Sequence, residues 1–91
     1  KERLLLFLQG RDRLFLLFCQ EYQISGAEDK CIIRWTRQEL SDCSGLSTRT
    51  INRLVNELQA EGYIEYRRGR IRITREQYEQ MQQYLDGIAF E

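Results

Sequence analysis

Residues 35–74 read WTRQELSDCSGLSTRTINRLVNELQAEGYIEYRRGRIRIT, and this stretch decides the fold. Thr36 followed at the third place by Glu39 is a capping box, in which the hydroxyl accepts from the third amide and the carboxylate reaches back to the cap amide. A short helix is therefore expected from about Arg37 to Cys43, with Gly45 making a turn. Ser47 is placed to cap a second helix. That helix carries Ile51, Leu54, Val55 and Leu58 on one face, and at about 100° per residue Arg49, Asn52, Arg53 and Asn56 fall on the opposite face. Gly62 stands where a helix wants a left-handed residue to stop. Tyr63–Arg67 and Arg70–Thr74 then alternate at period two around Arg68-Gly69, the pattern of a tight β-hairpin with an arginine-rich outer side. Thr74 with Gln77 is a second capping box, opening a final helix to about Leu85.

Upstream of this stretch, residues 3–22 read as helix, although Gly10 interrupts the pattern. Leu4, Leu8, Phe15, Phe18 and Tyr22 recur at heptad-like spacing, and Leu5, Leu14 and Leu17 line another face. Leu4–Leu8 is apolar all round, which points to packing on another domain or on a second copy of the chain, the latter through the face of Leu4, Leu8, Phe15 and Phe18; a simple buried core helix is the alternative. Ser25–Lys30 is a polar loop, and Cys31–Trp35 a short β-type run. A short helix, a glycine turn, a longer helix and a two-stranded hairpin make the winged helix-turn-helix order. Counted from Arg37 as position 1, Ser41, Gly45, Ile51 and Leu54 occupy positions 5, 9, 15 and 18, which need a small residue, a turn residue and two core residues. The expected fold class is mainly α with a small β-hairpin: a three-helix core, a β wing and a C-terminal helix.

The totals agree with one soluble domain. The chain has 91 residues, 42% hydrophobic and 31% charged, too few for two cores and too apolar for disorder. No apolar run approaches the roughly 20 residues of a membrane span, so no membrane association and a cytoplasmic location are expected. Cys19, Cys31 and Cys43 form no CxxC pair and the chain has no histidine, which argues against a zinc site and for three buried, inert thiols. Net charge is zero, but it is unevenly spread. Residues 34–75 hold nine arginines against five acids, a balance of +4, while residues 76–91 hold four acids and no base. A basic middle segment attracts phosphates whatever the total charge.

The TRQEL…GLS…T-I-x-R-L-V…L…EGYI series resembles the C-terminal DNA-binding domain of the Crp/FNR family, the catabolite activator protein and its relatives, over roughly residues 11–85. The resemblance implies a dimeric bacterial transcription regulator that binds double-stranded DNA as a homodimer, with RNA polymerase open as a further partner. On that reading residues 11–91 are the DNA-binding domain, and residues 1–10 are the end of a linker or dimerisation helix, or an extension of the first helix. No cofactor is expected here, since an effector would bind the family's N-terminal domain. The recognition helix is expected over 47–59 in the major groove and the wing over 63–74 on the backbone.

By position, Thr36, Arg37 and Gln38 match the helix start that grips a phosphate, where unpaired amides and the helix dipole favour an anion. Ser47 and Thr50 match further backbone contacts, and Arg67, Arg68 and Arg70 are the expected phosphate contacts of the wing. Arg53 matches the arginine that reads guanine. Thr48, Arg49 and Asn52 complete the expected base-contacting set, and all three depart from the family: glutamate is usual at Arg49, arginine frequent at Thr48, glycine or serine common at Asn52. The usual TGTGA- or TTGAT-type half-sites therefore do not carry over automatically. Trp35, Tyr63 and Tyr66 read as core rather than stacking platforms. A winged helix serving only protein–protein interaction or dimerisation is the alternative, and it would show acidic or apolar residues on the exposed face of the second helix. An RNA-binding winged helix ranks lower. Catalysis is not expected, with no histidine, phosphate-cradling loop or paired carboxylates.

Overall fold

In the computed structural model, residues 9–89 are described. Helix α1 (Gly10–Ser25) leads to strand β1 (Lys30–Ile33), helices α2 (Arg37–Ser44) and α3 (Thr48–Ala60), strands β2 (Glu65–Arg67) and β3 (Arg70–Thr74), and helix α4 (Arg75–Ala89). This is a winged helix-turn-helix.

Local chemistry fixes most of the boundaries. Thr36 Oγ1 accepts from the Glu39 amide at 3.0 Å, and Glu39 accepts from the Thr36 amide at 2.8 Å, so both halves of the capping box form. Thr74 and Gln77 repeat it at the start of α4, at 3.2 and 3.0 Å. Each cap satisfies donors that the first turn leaves unpaired, a contribution of about 1 kcal/mol. Helix α3 ends in a Schellman motif: the Gly62 amide donates to Gln59 O and the Tyr63 amide to Leu58 O, both at 3.0 Å, with Gly62 at φ +87°.

Helix α1 differs from the continuous helix expected over 3–22. Gln9 is extended (φ −69°, ψ 165°), and its amide donates to the Asp12 carboxylate at 3.1 Å, so a helix start interrupts the run. Gly10 is thus a first-turn residue, and a Cβ there would come within 3.2 Å of Leu54 Cδ1, where α1 closes on α3. Leu4, Leu5 and Leu8 lie outside the described residues. Phe15 and Phe18 are fully buried in the domain's own core, which removes them from any face shared between two copies. Phe15 packs on Tyr63 and Tyr84, at ring separations of 4.8 and 5.2 Å.

The hairpin turns on Arg68 and Gly69, both at positive φ (52° and 77°), the signature of a type I′ turn. The wing is not a bare hairpin, because β1 pairs antiparallel with β3 from Lys30↔Thr74 to Ile33↔Ile71, giving a three-stranded sheet in the order β1-β3-β2. Cys31, Ile33, Ile71 and Ile73 face inward and meet Leu14, Phe18, Leu40 and the buried row of α3 in one core. Helix α4 packs along α1, with Met81 buried and Tyr78 stacked on Tyr22 at 4.4 Å.

A further expectation, on the thiols, fails in part. Cys19 and Cys31 are buried but Cys43 is exposed, because α2 is short and turns only Leu40 fully inward.

Candidate nucleic-acid interface

Helices α2 and α3 meet across the Gly45 turn, where Gly45 adopts φ +78° and its amide donates to Ser41 O at 2.9 Å. Ser47 Oγ accepts from the Thr50 amide at 3.1 Å, and its hydroxyl lies 3.0 Å from Thr50 Oγ1. This arrangement starts α3 at Thr48, with the Ser47 hydroxyl donating to Thr50 Oγ1, which keeps its own O–H as a donor. Ile51, Leu54, Val55 and Leu58 are buried. Their burial, at about 1.5–3 kcal/mol per side chain, fixes the rotation of α3 and leaves Thr48, Arg49, Asn52, Arg53 and Asn56 on the exposed face.

The charged side chains of this face are already partly engaged. Arg53 Nη1 pairs with Glu57 Oε2 at 2.9 Å, one turn along the helix. Glu57 also lies 3.8 Å from Arg11 Nη2, and Arg11 is held by both oxygens of Glu61 at 2.7 and 2.6 Å. That contact holds the Glu61 carboxyl below its ordinary range and raises the Arg11 guanidinium. The result is a ladder, Arg53–Glu57–Arg11–Glu61, that ties α3 to the start of α1. Glu57, Arg11 and Glu61 were missing from the expected site. Their i,i+4 spacing on α3 was legible, but a partner 50 residues upstream was not.

At the start of α2, Thr36 and Gln38 are exposed, and Gln38 Nε2 donates to Asp42 Oδ1 at 3.0 Å. Arg37 turns toward the protein. Its Nε donates to Asn52 Oδ1 at 2.9 Å, and its guanidinium carbon sits 4.9 Å from the centre of the Tyr66 ring. One side chain thus joins the first helix of the pair, the exposed face of the second and strand β2 of the wing. Tyr66 is a half-buried support for this contact, consistent with a core role.

On the wing, Arg67, Arg68 and Arg70 are exposed at and beside the turn, and Arg67 pairs with Arg70 in the register. Placing like charges opposite each other is unfavourable without an anion between or near them. Arg72, two residues further along the same outer face, is instead neutralised by Glu65, its cross-strand partner. The structure therefore gathers the expected residues into two groups, one on α2 and α3, exposed apart from the half-buried Arg37 and Thr50, and one exposed at the hairpin tip. Among the described residues no cluster of three metal-ligating side chains occurs, and no helix is long and apolar enough to cross a membrane.

A Crp-like helix-turn-helix domain family matches residues 3–83, the span that holds α2, α3, the wing and most of α4. The chain belongs to that family. Its helix-turn-helix is of the DNA-binding class rather than a catalytic fold. No curated protein matches the sequence. The exposed face of α3 carries arginine and asparagine, side chains able to hydrogen-bond base edges and phosphates.

Proposed function

We propose that this Crp-like domain binds double-stranded DNA sequence-specifically, as the output module of a Crp/FNR-type transcription regulator. Helix α3 enters the major groove, and Arg67, Arg68 and Arg70 hold the backbone from the wing. The observation that carries this reading is the two-faced α3. Its apolar row is fully committed to the core, while Arg49, Asn52, Arg53 and Asn56 stand exposed together on the opposite face. Arg49 lies nearest the centre of the exposed face and Arg53 beside it, so these two are assigned to bases. Thr36, Gln38, Ser47 and Thr50 are assigned to phosphates flanking the groove.

A single domain of this size covers few base pairs, so the full-length regulator acts as a homodimer on a near-palindrome with half-sites about one helical turn apart. Residues 1–10 then belong to the connection toward the dimerisation helix, and the protein works in the cytoplasm, where its DNA is. Selection of bound sites from a random duplex pool at fixed salt tests the proposal. A consensus half-site is expected. Enrichment with no consensus, and an affinity that depends on salt alone, would leave only a basic patch.

A further inference from the structure

Asparagine in a major groove ordinarily reads adenine with both ends of its amide, donating from Nδ2 to N7 and accepting at Oδ1 from the N6 amino group. In Asn52 one of the two acceptor sites of Oδ1 is already taken by Arg37, which turns that end of the amide away from a ligand. A guanidinium has only donors, so the atom that faces Arg37 Nε must be the amide oxygen, and the 2.9 Å contact orients the whole planar group. Arg37 is itself held, since its guanidinium lies over Tyr66 of the wing. Swinging out toward a phosphate would give up both the Asn52 bond and the ring face. With Oδ1 turned to Arg37, the group Asn52 offers a ligand is Nδ2, a pair of N–H donors.

We infer that Arg37 is a positioning residue that makes Asn52 a donor-only reader, selective for guanine over adenine on the contacted strand. Guanine presents N7 and O6, two acceptors, to those donors. Adenine would set its N6 amino group against another amino group. This inference rests on the DNA-binding reading proposed above and adds to it a base at one position. It also alters the part expected for Arg37, from gripping a phosphate to setting the identity of a base contact.

The test uses the 91-residue chain and its Asn52→Ala, Asn52→Asp and Arg37→Met variants. The first of these locates the base pair where discrimination is lost. Competition binding on duplexes carrying each of the four bases at that pair then reads the preference. The intact chain is expected to favour guanine over adenine by about tenfold, the scale of a good base contact. Arg37→Met keeps an aliphatic stem over Tyr66 but frees the amide to turn, so the ratio should fall to about one or invert toward adenine. Asn52→Asp keeps the bond to Arg37 and makes the outward group an acceptor, moving the preference to cytosine, whose N4 amino group donates. A purely structural role for Arg37 would lower affinity for all four duplexes equally. Adenine preferred by the intact chain, an unchanged ratio in Arg37→Met, or full discrimination retained in Asn52→Ala overturns the inference while a selected consensus keeps the DNA reading intact. Absence of any consensus from the intact chain overturns both.

Discussion

Replacing Glu57 by glutamine should tighten duplex binding, and the structure sets the size of the gain. The Arg53–Glu57 pair spans 2.9 Å, with the two side chains 61% and 42% exposed. A solvated i,i+4 pair of this kind contributes roughly 0.3–0.5 kcal/mol, and that amount must be given up when Arg53 turns to DNA. The carboxylate adds a second penalty by repelling phosphates. At a separation of about 8 Å in a water-like dielectric this is ~0.5 kcal/mol, roughly halved by physiological salt. Together the terms predict a gain of about 0.5–1 kcal/mol, or two- to fivefold in Kd. Stability should change little, because Arg11 keeps its two-pronged contact with Glu61. Anisotropy titrations on selected and random duplexes at two salt concentrations measure the effect, with thermal melting alongside. In an Arg53→Ala background the gain should shrink to the salt-sensitive repulsion alone. Unchanged or weaker binding by Glu57→Gln, at an unaltered melting temperature, would refute the claim that this pair restrains Arg53.

Three further outcomes follow from the geometry. Arg68 sits at φ +52°, where asparagine is tolerated better than arginine, so Arg68→Asn should raise stability by up to about 1 kcal/mol in chemical denaturation. The same change should weaken binding to all duplexes and make the salt slope shallower by about one unit. Alkylation of the native domain should modify Cys43 quickly and spare Cys19, whose thiol burial pushes up to about 12, and Cys31; Cys43→Ser should leave DNA affinity unaltered. Because Arg11 holds the Glu61 carboxyl below its ordinary value, this pair stabilises the fold above the unfolded carboxylate range, near pH ~4.3, and the contribution is lost as pH falls through the lowered folded value. Arg11→Met should flatten the acid limb of a stability–pH profile, and an identical limb in the variant would count against the pair.

The features legible in the sequence are those whose cause lies within a few residues. Thr36 with Glu39, Ser47, Gly62, and Thr74 with Gln77 each make their hydrogen bonds three to five residues away, so the helix limits could be read directly. The same holds for the buried row of α3 and its exposed opposite face. What escaped reading depends on distant partners. Cys31–Trp35 looked like an isolated β run, whereas the strand is Lys30–Ile33 and its partner ends at Thr74. Phe15 and Phe18 looked available for a second copy because Tyr63 and Tyr84, which cover Phe15, come from far down the chain. Cys43 was misjudged from its apolar character, when the depth of a two-turn helix decides exposure. In the interface, Arg37 had a family precedent for phosphate but no local signal for Asn52, 15 residues away.

The sheet order gives the domain an order of synthesis as well as a shape. Strand β1 leaves the ribosome first, yet its neighbour is β3, and the whole helix-turn-helix lies in the loop between them. Closing a loop of that length costs roughly 3 kcal/mol of chain entropy beyond that of a single residue. Until β3 has been made, Cys31 and Ile33 lack their wall and α3 has only part of its floor. The nascent chain therefore cannot settle α3 early and add the wing afterwards. A chain cut between α3 and β3 is expected to be a target for proteolysis rather than a smaller folded domain, because β1 then has no strand to pair with.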